Sequence, residues 1–246
     1  YFCRRGKENL CENMTTLGIY IDGGFARFNI SPESAVHRIP NDMRWRDAVL
    51  VEPVSCAING LTRADVKMGD IVAIIGAGPM GLIWTQLARH RGAGLIIVGD
   101  LVEKRLETAR TIGADIVVNP SKEDFIEAVK DATDGRMADV SVEVVGNTAT
   151  VEQAIAAVGH GGRTVIFGTT GKGLKVPVEP YDIMRYEKEI VGSFIANYTI
   201  SPAIAAMRKK IIDSDALITH EFPIERFQEA VDVHRSGEAL KIVLNP

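Results

Sequence analysis

Cysteine is scarce: the 246 residues contain three. Three thiols cannot make a disulfide framework, and they fit a reducing, cytoplasmic setting. A large excess of either charge is also missing, since the formal net charge is −4. That balance gives no electrostatic reason for nucleic acid or an anionic membrane as a partner. Long apolar runs are absent as well; the longest reach about five residues, against the roughly 20 needed to cross a bilayer. There is no charged-then-apolar leader at the start, no low-complexity stretch, and no repeat beyond an alternation described below. What is present is ordinary for a folded domain: 46% hydrophobic and 24% charged residues. The length suits one large domain, or one and a half.

The most informative stretch is Ile71-Val-Ala-Ile-Ile-Gly-Ala-Gly-Pro-Met-Gly81. Five apolar residues, Ile71–Ile75, read as a buried strand. The turn Gly76-Ala-Gly78-Pro79-Met80-Gly81 follows, then a helical segment through Arg91. Apolar residues resume at Leu95–Val98, and Asp100 comes nineteen positions after Gly81. Strand, glycine turn, helix, strand and acid in this order form the dinucleotide-binding fingerprint. Gly76 permits the tight turn. Gly78 leaves the backbone bare for a pyrophosphate, and Gly81 lets the helix pack close to the strand. The helix N-terminus then offers free N–H groups and the positive end of its dipole. Asp100 can accept from both hydroxyls of an adenosine ribose and would repel a 2′-phosphate, which favours NAD over NADP. The alternative ligand is another adenosine compound, because methyltransferases use a related loop and acid.

From Gly69 onward, β and α signals alternate. Strands are expected at Ile71–Ile75, Leu95–Val98, Ile116–Val118, Val140–Val145, Thr164–Phe167 and Glu189–Ile195. Helices are expected at Pro79–Arg91, Glu103–Ile112, Lys122–Ala132 (capped by Ser121) and Thr148–Val158. This alternation predicts an α/β fold, a doubly wound parallel sheet of Rossmann type, with its ligand at the carboxyl ends of the strands. Helix Pro202–Ile212, strand Leu217–Phe222, helix Ile224–Ser236 and strand Lys241–Leu244 follow. Upstream, residues 1–17 read as a loop. Ile19–Ile21, Phe25–Asn29 and Ala35–Ile39 read as short strands of a small β-rich domain. A helix is expected over Trp45–Leu61, with Glu52-Pro53 interrupting its first half.

Cys3 and Cys11 lie in the N-terminal loop. Two thiols are half of a structural zinc site, which takes four ligands, and by spacing alone they could equally be unrelated. His37, His90, His160, His220 and His234 are scattered without metal spacing and read as surface or helix-end residues.

Several motifs together carry a family resemblance. They are Cys3-Arg-Arg-Gly-Lys-Glu-Asn-Leu-Cys11, Gly18, Asp22-Gly-Gly-Phe-Ala26, Val51-Glu-Pro-Val-Ser55, the glycine turn, Arg105 to Gly113-Ala-Asp115, Gly161-Gly162-Arg163, and Gly237 to Leu244. With these the chain resembles the zinc-containing medium-chain alcohol dehydrogenases over its whole length. Within them it looks most like the sorbitol and threonine dehydrogenase branch, because an acid, Glu52, precedes Pro53. The resemblance implies a GroES-like catalytic domain, of which residues 1–50 would be a remnant. It implies an NAD-binding Rossmann domain at 51–212, and a return segment at 213–246 that packs on the catalytic domain. Cys3 and Cys11 would be the third and fourth structural-zinc ligands. Glu52 would be the catalytic-zinc or zinc-water residue. Its other reading is a surface acid paired with Arg44 or Arg46. Cys56, one turn on, falls at an apolar family position and reads as a packed thiol.

Arg105 would reach the adenosine ribose and Lys241 the pyrophosphate. Gly168, Thr169 and Ser193 would flank the nicotinamide, and Val145 would line the cleft. The resemblance also implies a small-molecule alcohol substrate, zinc and NAD as cofactors, and a homo-oligomer, a dimer or tetramer. The family's N-terminal part is expected to be missing here, so this chain alone is expected to hold neither zinc normally and to be nearly inactive. In polyol-specific members an arginine follows the Phe of the sixth strand, where this chain has Ile195. Two readings compete. One is a zinc-assisted NAD-dependent dehydrogenase of a secondary alcohol, a polyol or an amino or hydroxy alcohol. The other is a non-catalytic NAD(H)-binding fragment. A zinc-free reductase is a third, opposed by Cys3, Cys11 and Glu52.

Overall fold

The structure is a computed structural model that describes residues 1–246. The chain divides into two compact units, residues 57–194 and residues 1–56 with 195–246.

The second of these begins irregularly. Short 3-10 turns at Cys3–Arg5, Glu8–Leu10 and Glu33–Ala35 stand where the sequence suggested loop and strands. The strands expected between residues 19 and 39 do not form; one isolated bridge, Leu17 to Ile21, is all that pairs there. A strand is stable only with a partner ladder and a covered face. Here Phe25, Phe28 and Ile30 are exposed instead. Helix α1 (Trp45–Ala48) and helix α2 (Val51–Ala64) replace the single helix expected. Pro53 lies in the first turn of α2, where its missing N–H has no intrahelical acceptor to lose.

Residues 57–194 hold the sheet. Strand β1 (Ile71–Ile75) is buried at every position, as a central parallel strand with both faces covered must be. Helix α3 (Pro79–Arg91) opens with Pro79 in its first turn and closes on Gly92, whose φ of +100° lets its N–H reach the carbonyls of Ala88 and Arg89. Then come β2 (Leu95–Gly99), α4 (Glu103–Thr111), β3 (Ile116–Val118), α5 (Phe125–Ala132), β4 (Ala138–Glu143), α6 (Thr148–Ala156), β5 (Val158–Ile166), α7 (Pro180–Arg185) and β6 (Glu189–Gly192). The six strands are parallel in the order β3-β2-β1-β4-β5-β6. This is the doubly wound order, with its switch point between β1 and β4.

Three local expectations need correction. Helix α5 starts at Phe125 rather than Lys122, because Asp124, not Ser121, caps it by accepting from the N–H groups of Ile126 and Glu127. Ser121 instead donates to Asn119 Oδ1. Strand β5 begins six residues early, at Val158, through a register shift opposite Ala138–Val140. Helix α7 had no strong sequence signal and was not anticipated.

On one face of the sheet Ile71, Ala73, Ile75, Ile97 and Val118 pack with Phe125 and Val129 of α5 and Ala154 of α6. Elsewhere in the same unit, Trp84 is fully buried edge-on to Phe167, with 5.7 Å between ring centroids.

After β6 the chain forms α8 (Ile200–Arg208), α9 (Ser214–Leu217), β7 (Ile218–Pro223), α10 (Phe227–Ser236) and β8 (Lys241–Asn245). Strands β7 and β8 pair in parallel. No helix is long and apolar enough to cross a membrane.

Candidate cofactor and metal sites

All strands of the large sheet run one way, so their carboxyl ends share one edge. Gly76, Asp100, Val145, Gly168 and Ser193 each follow the end of a different strand there. The fold therefore assembles residues that are more than a hundred positions apart in the chain.

The glycine turn is built by close approach. Gly76 has φ +109°, and its N–H donates to Gly99 O at 2.8 Å. A Cβ on Gly76 would come within 2.7 Å of Val145 Cγ2 and 2.9 Å of Val144 Cγ2. Gly81 lies so near Gly76 O that a Cβ would overlap it far inside the 3.0 Å that real Cβ atoms respect. Gly78 differs: a Cβ there would meet nothing within 4 Å. It is the N-cap of α3 and supplies no side-chain cap, and the first turn, Pro79-Met80-Gly81, contains no acid. The helix start thus faces open space with uncapped N–H groups, a surface that fits a pyrophosphate.

Asp100 follows β2. Its Oδ2 accepts from Ala77 N at 2.7 Å and its Oδ1 from Val102 N at 2.9 Å. The carboxylate therefore joins the glycine turn to the loop after β2, and it keeps lone pairs for a ribose. Arg105 of α4 stands with Nη1 3.9 Å from Asp100 Oδ2.

On the far side of the switch point, Gly146 (φ +94°) interlocks with the loop after β5, because a Cβ there would overlap Thr169 O. Ser193 donates its N–H to Ile166 O at 3.0 Å, and its buried Oγ has no partner. Sequence reasoning missed Glu143, the last residue of β4. It is fully buried, and its Oε1 accepts from Val145 N at 2.8 Å, Gly146 N at 2.6 Å and Thr150 Oγ1 at 2.8 Å. The signal that could have found it is an acid set between Val142 and Val144 at the carboxyl end of a strand. Lys241 belongs to the other unit, at the start of β8.

The metal candidates are less complete. Cys3 and Cys11 do come together: a hydrogen bond with Cys11 is the first cause holding the Cys3 thiol above its ordinary value. Glu52 is exposed near the start of α2, and its Oε1 accepts from Cys56 Sγ at 3.3 Å. It does not pair with the nearby arginines. Arg44 takes Asp47 and Asp215, and Arg46 takes Asp215 and Glu221. No group of three or more His, Cys, Asp or Glu side chains is placed to hold a metal ion. A structural zinc takes four protein ligands and a catalytic zinc three; Cys3 and Cys11 are two of the first set and Glu52 one of the second, so these residues alone do not fit zinc.

Burial first, and then the charge of Glu52, push the Cys56 thiol up to about 12. A rise of that size above the ordinary thiol value lowers the thiolate fraction at pH 8 about a thousandfold. Iodoacetamide at pH 8 should therefore label Cys56 at least tenfold more slowly than a free cysteine peptide, as read by mass spectrometry.

Residues 79–209 match the family model described as zinc-binding dehydrogenase. Sorbitol dehydrogenase of Bacillus subtilis (strain 168) is 32% identical over 99% of this chain and 70% of its own length. The chain belongs to the zinc-binding dehydrogenase family. L-threonine 3-dehydrogenase of Anaeromyxobacter sp. (strain K) is 31% identical, again over 99% of this chain and 70% of its length. Among solved structures, a protein assigned as a zinc-binding dehydrogenase from Sinorhizobium meliloti 1021, bound to NADP, superposes with a TM-score of 0.94 at 31% identity. That match covers 100% of this chain and 72% of the other.

Proposed function

We propose that this chain carries the cofactor-binding part of an oxidoreductase that moves a hydride between a secondary alcohol and NAD. The observation that carries the reading is Gly78, bare and facing open space at an uncapped helix start, with Asp100 bonded to the same turn. Family membership supports the alcohol as substrate class, a polyol or an amino or hydroxy alcohol.

Bound NAD would supply a nicotinamide ring as hydride acceptor for the carbinol carbon. The residues of this chain bind and orient. Gly76, Gly78, Pro79, Met80 and Gly81 seat the pyrophosphate. Asp100 takes the ribose hydroxyls, with Arg105 beside it. Val145, Gly168, Thr169 and Ser193 form the edge for the nicotinamide half, and Lys241 is the candidate basic residue at the pyrophosphate. Glu52 is the candidate catalytic acid and a candidate ligand of a catalytic zinc, and Cys3 and Cys11 are two candidate ligands of a separate structural zinc. We assign residues 1–50 to a GroES-like catalytic domain, 51–212 to the Rossmann domain and 213–246 to the return segment. The reading further places the protein in the cytoplasm as a homo-oligomer.

The second reading is an NAD(H)-binding module without turnover; Cys3 and Cys11 are two of the four ligands of a structural zinc, and Glu52 is one of a catalytic set of three. Zinc content and alcohol-dependent NAD reduction by the purified chain separate the two.

The cofactor assignment is tested by NADH fluorescence titration with NADPH as competitor. Tight NADH binding that NADPH does not displace is expected; no binding by a folded sample would remove it. Asp100→Ser should weaken NADH about tenfold, the scale of a lost hydrogen bond to a charged group. It should also strengthen NADPH, because Arg105 would then face a 2′-phosphate without the neighbouring carboxylate. An unchanged NADH/NADPH ratio would show that Asp100 only braces the turn.

A further inference from the structure

Glu143 is a carboxylate with no solvent exposure and no cation bonded to it. Burying such a group is expensive, so an apolar residue here would be the default choice for stability alone. Its two oxygens are used unequally. Oε1 gathers the N–H groups of Val145 and Gly146 and the hydroxyl of Thr150, while Oε2 is buried without a partner.

Each contact acts on a different wall of the dinucleotide edge. The two N–H groups fix the loop after β4, whose Val144 and Val145 methyl groups press on Gly76. The hydroxyl fixes the start of α6, where Thr150 also closes a capping box with Asn147. Oε2 faces Gly168, where a Cβ would lie at 2.7 Å, and the main-chain oxygen of Glu143 accepts from Phe167 N and Gly168 N at 3.0 and 2.8 Å. One residue thus spans the ends of β4 and β5 and the N-terminus of α6.

In a doubly wound sheet the two halves of a dinucleotide lie on opposite sides of the switch point. Gly76, Gly78, Gly81 and Asp100 stand on the β1–β2 side; the Glu143 contacts stand on the β4–β5 side. We propose that Glu143 is a positioning residue for the nicotinamide half of the cofactor, acting through the loop it holds and not by touching the ligand. This rests on the dinucleotide reading given above.

Glu143→Gln keeps the shape but replaces a charged acceptor by a neutral one, whose hydrogen bonds are roughly half as strong. It also puts amide donors beside Gly168, where there is no room for another heavy atom. ADP-ribose, which lacks the nicotinamide, should bind the full chain and the variant within twofold of each other. NADH should bind the variant about tenfold more weakly, with less of the fluorescence gain of a held nicotinamide. Thr150→Val, which removes one of the three donors, should weaken NADH about threefold, and Thr150→Ser should restore it. Thr150→Val keeps the test available if Glu143→Gln does not fold. NADH affinity unchanged in both variants would overturn the proposal. So would equal losses of ADP-ribose and NADH in a folded variant, which would make Glu143 simply structural. Failure of ADP-ribose to bind the unsubstituted chain would instead overturn the dinucleotide reading, and this proposal with it.

Discussion

Gly81→Ala is expected to abolish NADH binding, by at least a hundredfold, and to lower the melting temperature. The new methyl group would overlap the carbonyl of Gly76, a backbone atom that cannot rotate aside. Relief requires α3 to move away from the turn, which strains the bond from Ala77 N–H to Asp100. Gly78→Ala is the instructive contrast. Gly78 has φ −68°, which alanine adopts without strain, and its Cβ would meet no atom. Removing a glycine at a compatible position restricts the unfolded chain, so stability should hold or rise by about 0.4–1 kcal/mol. Yet the methyl would stand where the pyrophosphate must approach, and NADH affinity should fall at least tenfold. Thermal unfolding and NADH titration of both variants check this. Full NADH affinity in Gly78→Ala would mean that no phosphate group sits against that glycine.

Trp84→Ala is expected to cause the largest loss of stability among single substitutions in residues 57–194. Trp84 is fully buried, packs on Phe167, and lies where a Cβ on Gly60 of α2 would collide with its ring. Cutting such a side chain to a methyl costs about 3–5 kcal/mol, from lost burial and the cavity left behind. That is a large part of the roughly 5–15 kcal/mol by which domains are stable. A fall of about 10 °C in melting temperature follows for a chain of this size. The indole N–H has no partner, so Trp84→Phe, which removes an unsatisfied donor, should cost far less than Trp84→Ala. Equal losses would show that the site tolerates no change of shape.

Much of this protein was legible in its residues because the signals are local. Ile71–Ile75 is apolar at every position, as a strand covered on both faces must be. The glycines at 76 and 81 report a turn whose geometry excludes side chains, Gly78 leaves the backbone bare beside them, and Asp100 falls where β2 ends. The alternation of short apolar runs with amphipathic segments implies the parallel sheet, since right-handed crossovers leave few other arrangements. The dehydrogenase family was legible for the same reason: its motifs are compact clusters, such as Glu52-Pro53 and Gly237 to Leu244.

What the sequence could not decide depends on partners. Phe25, Phe28 and Ile30 have strand-like chemistry, but strands form only where other strands pair with them, and none does here. Asp124 outcompeted Ser121 as a cap because its carboxylate reaches two N–H groups. Tertiary structure alone turned Arg44 and Arg46 to Asp215 and Glu221, so that Glu52 pairs with neither, and buried Glu143. A lone glutamate in Val-Glu-Val-Val reads like any other acid. Its meaning arises only when parallel strands bring Val145, Thr150 and Gly168 around it, because hydrogen bonding in a dry interior depends on three-dimensional distance and not on separation along the chain.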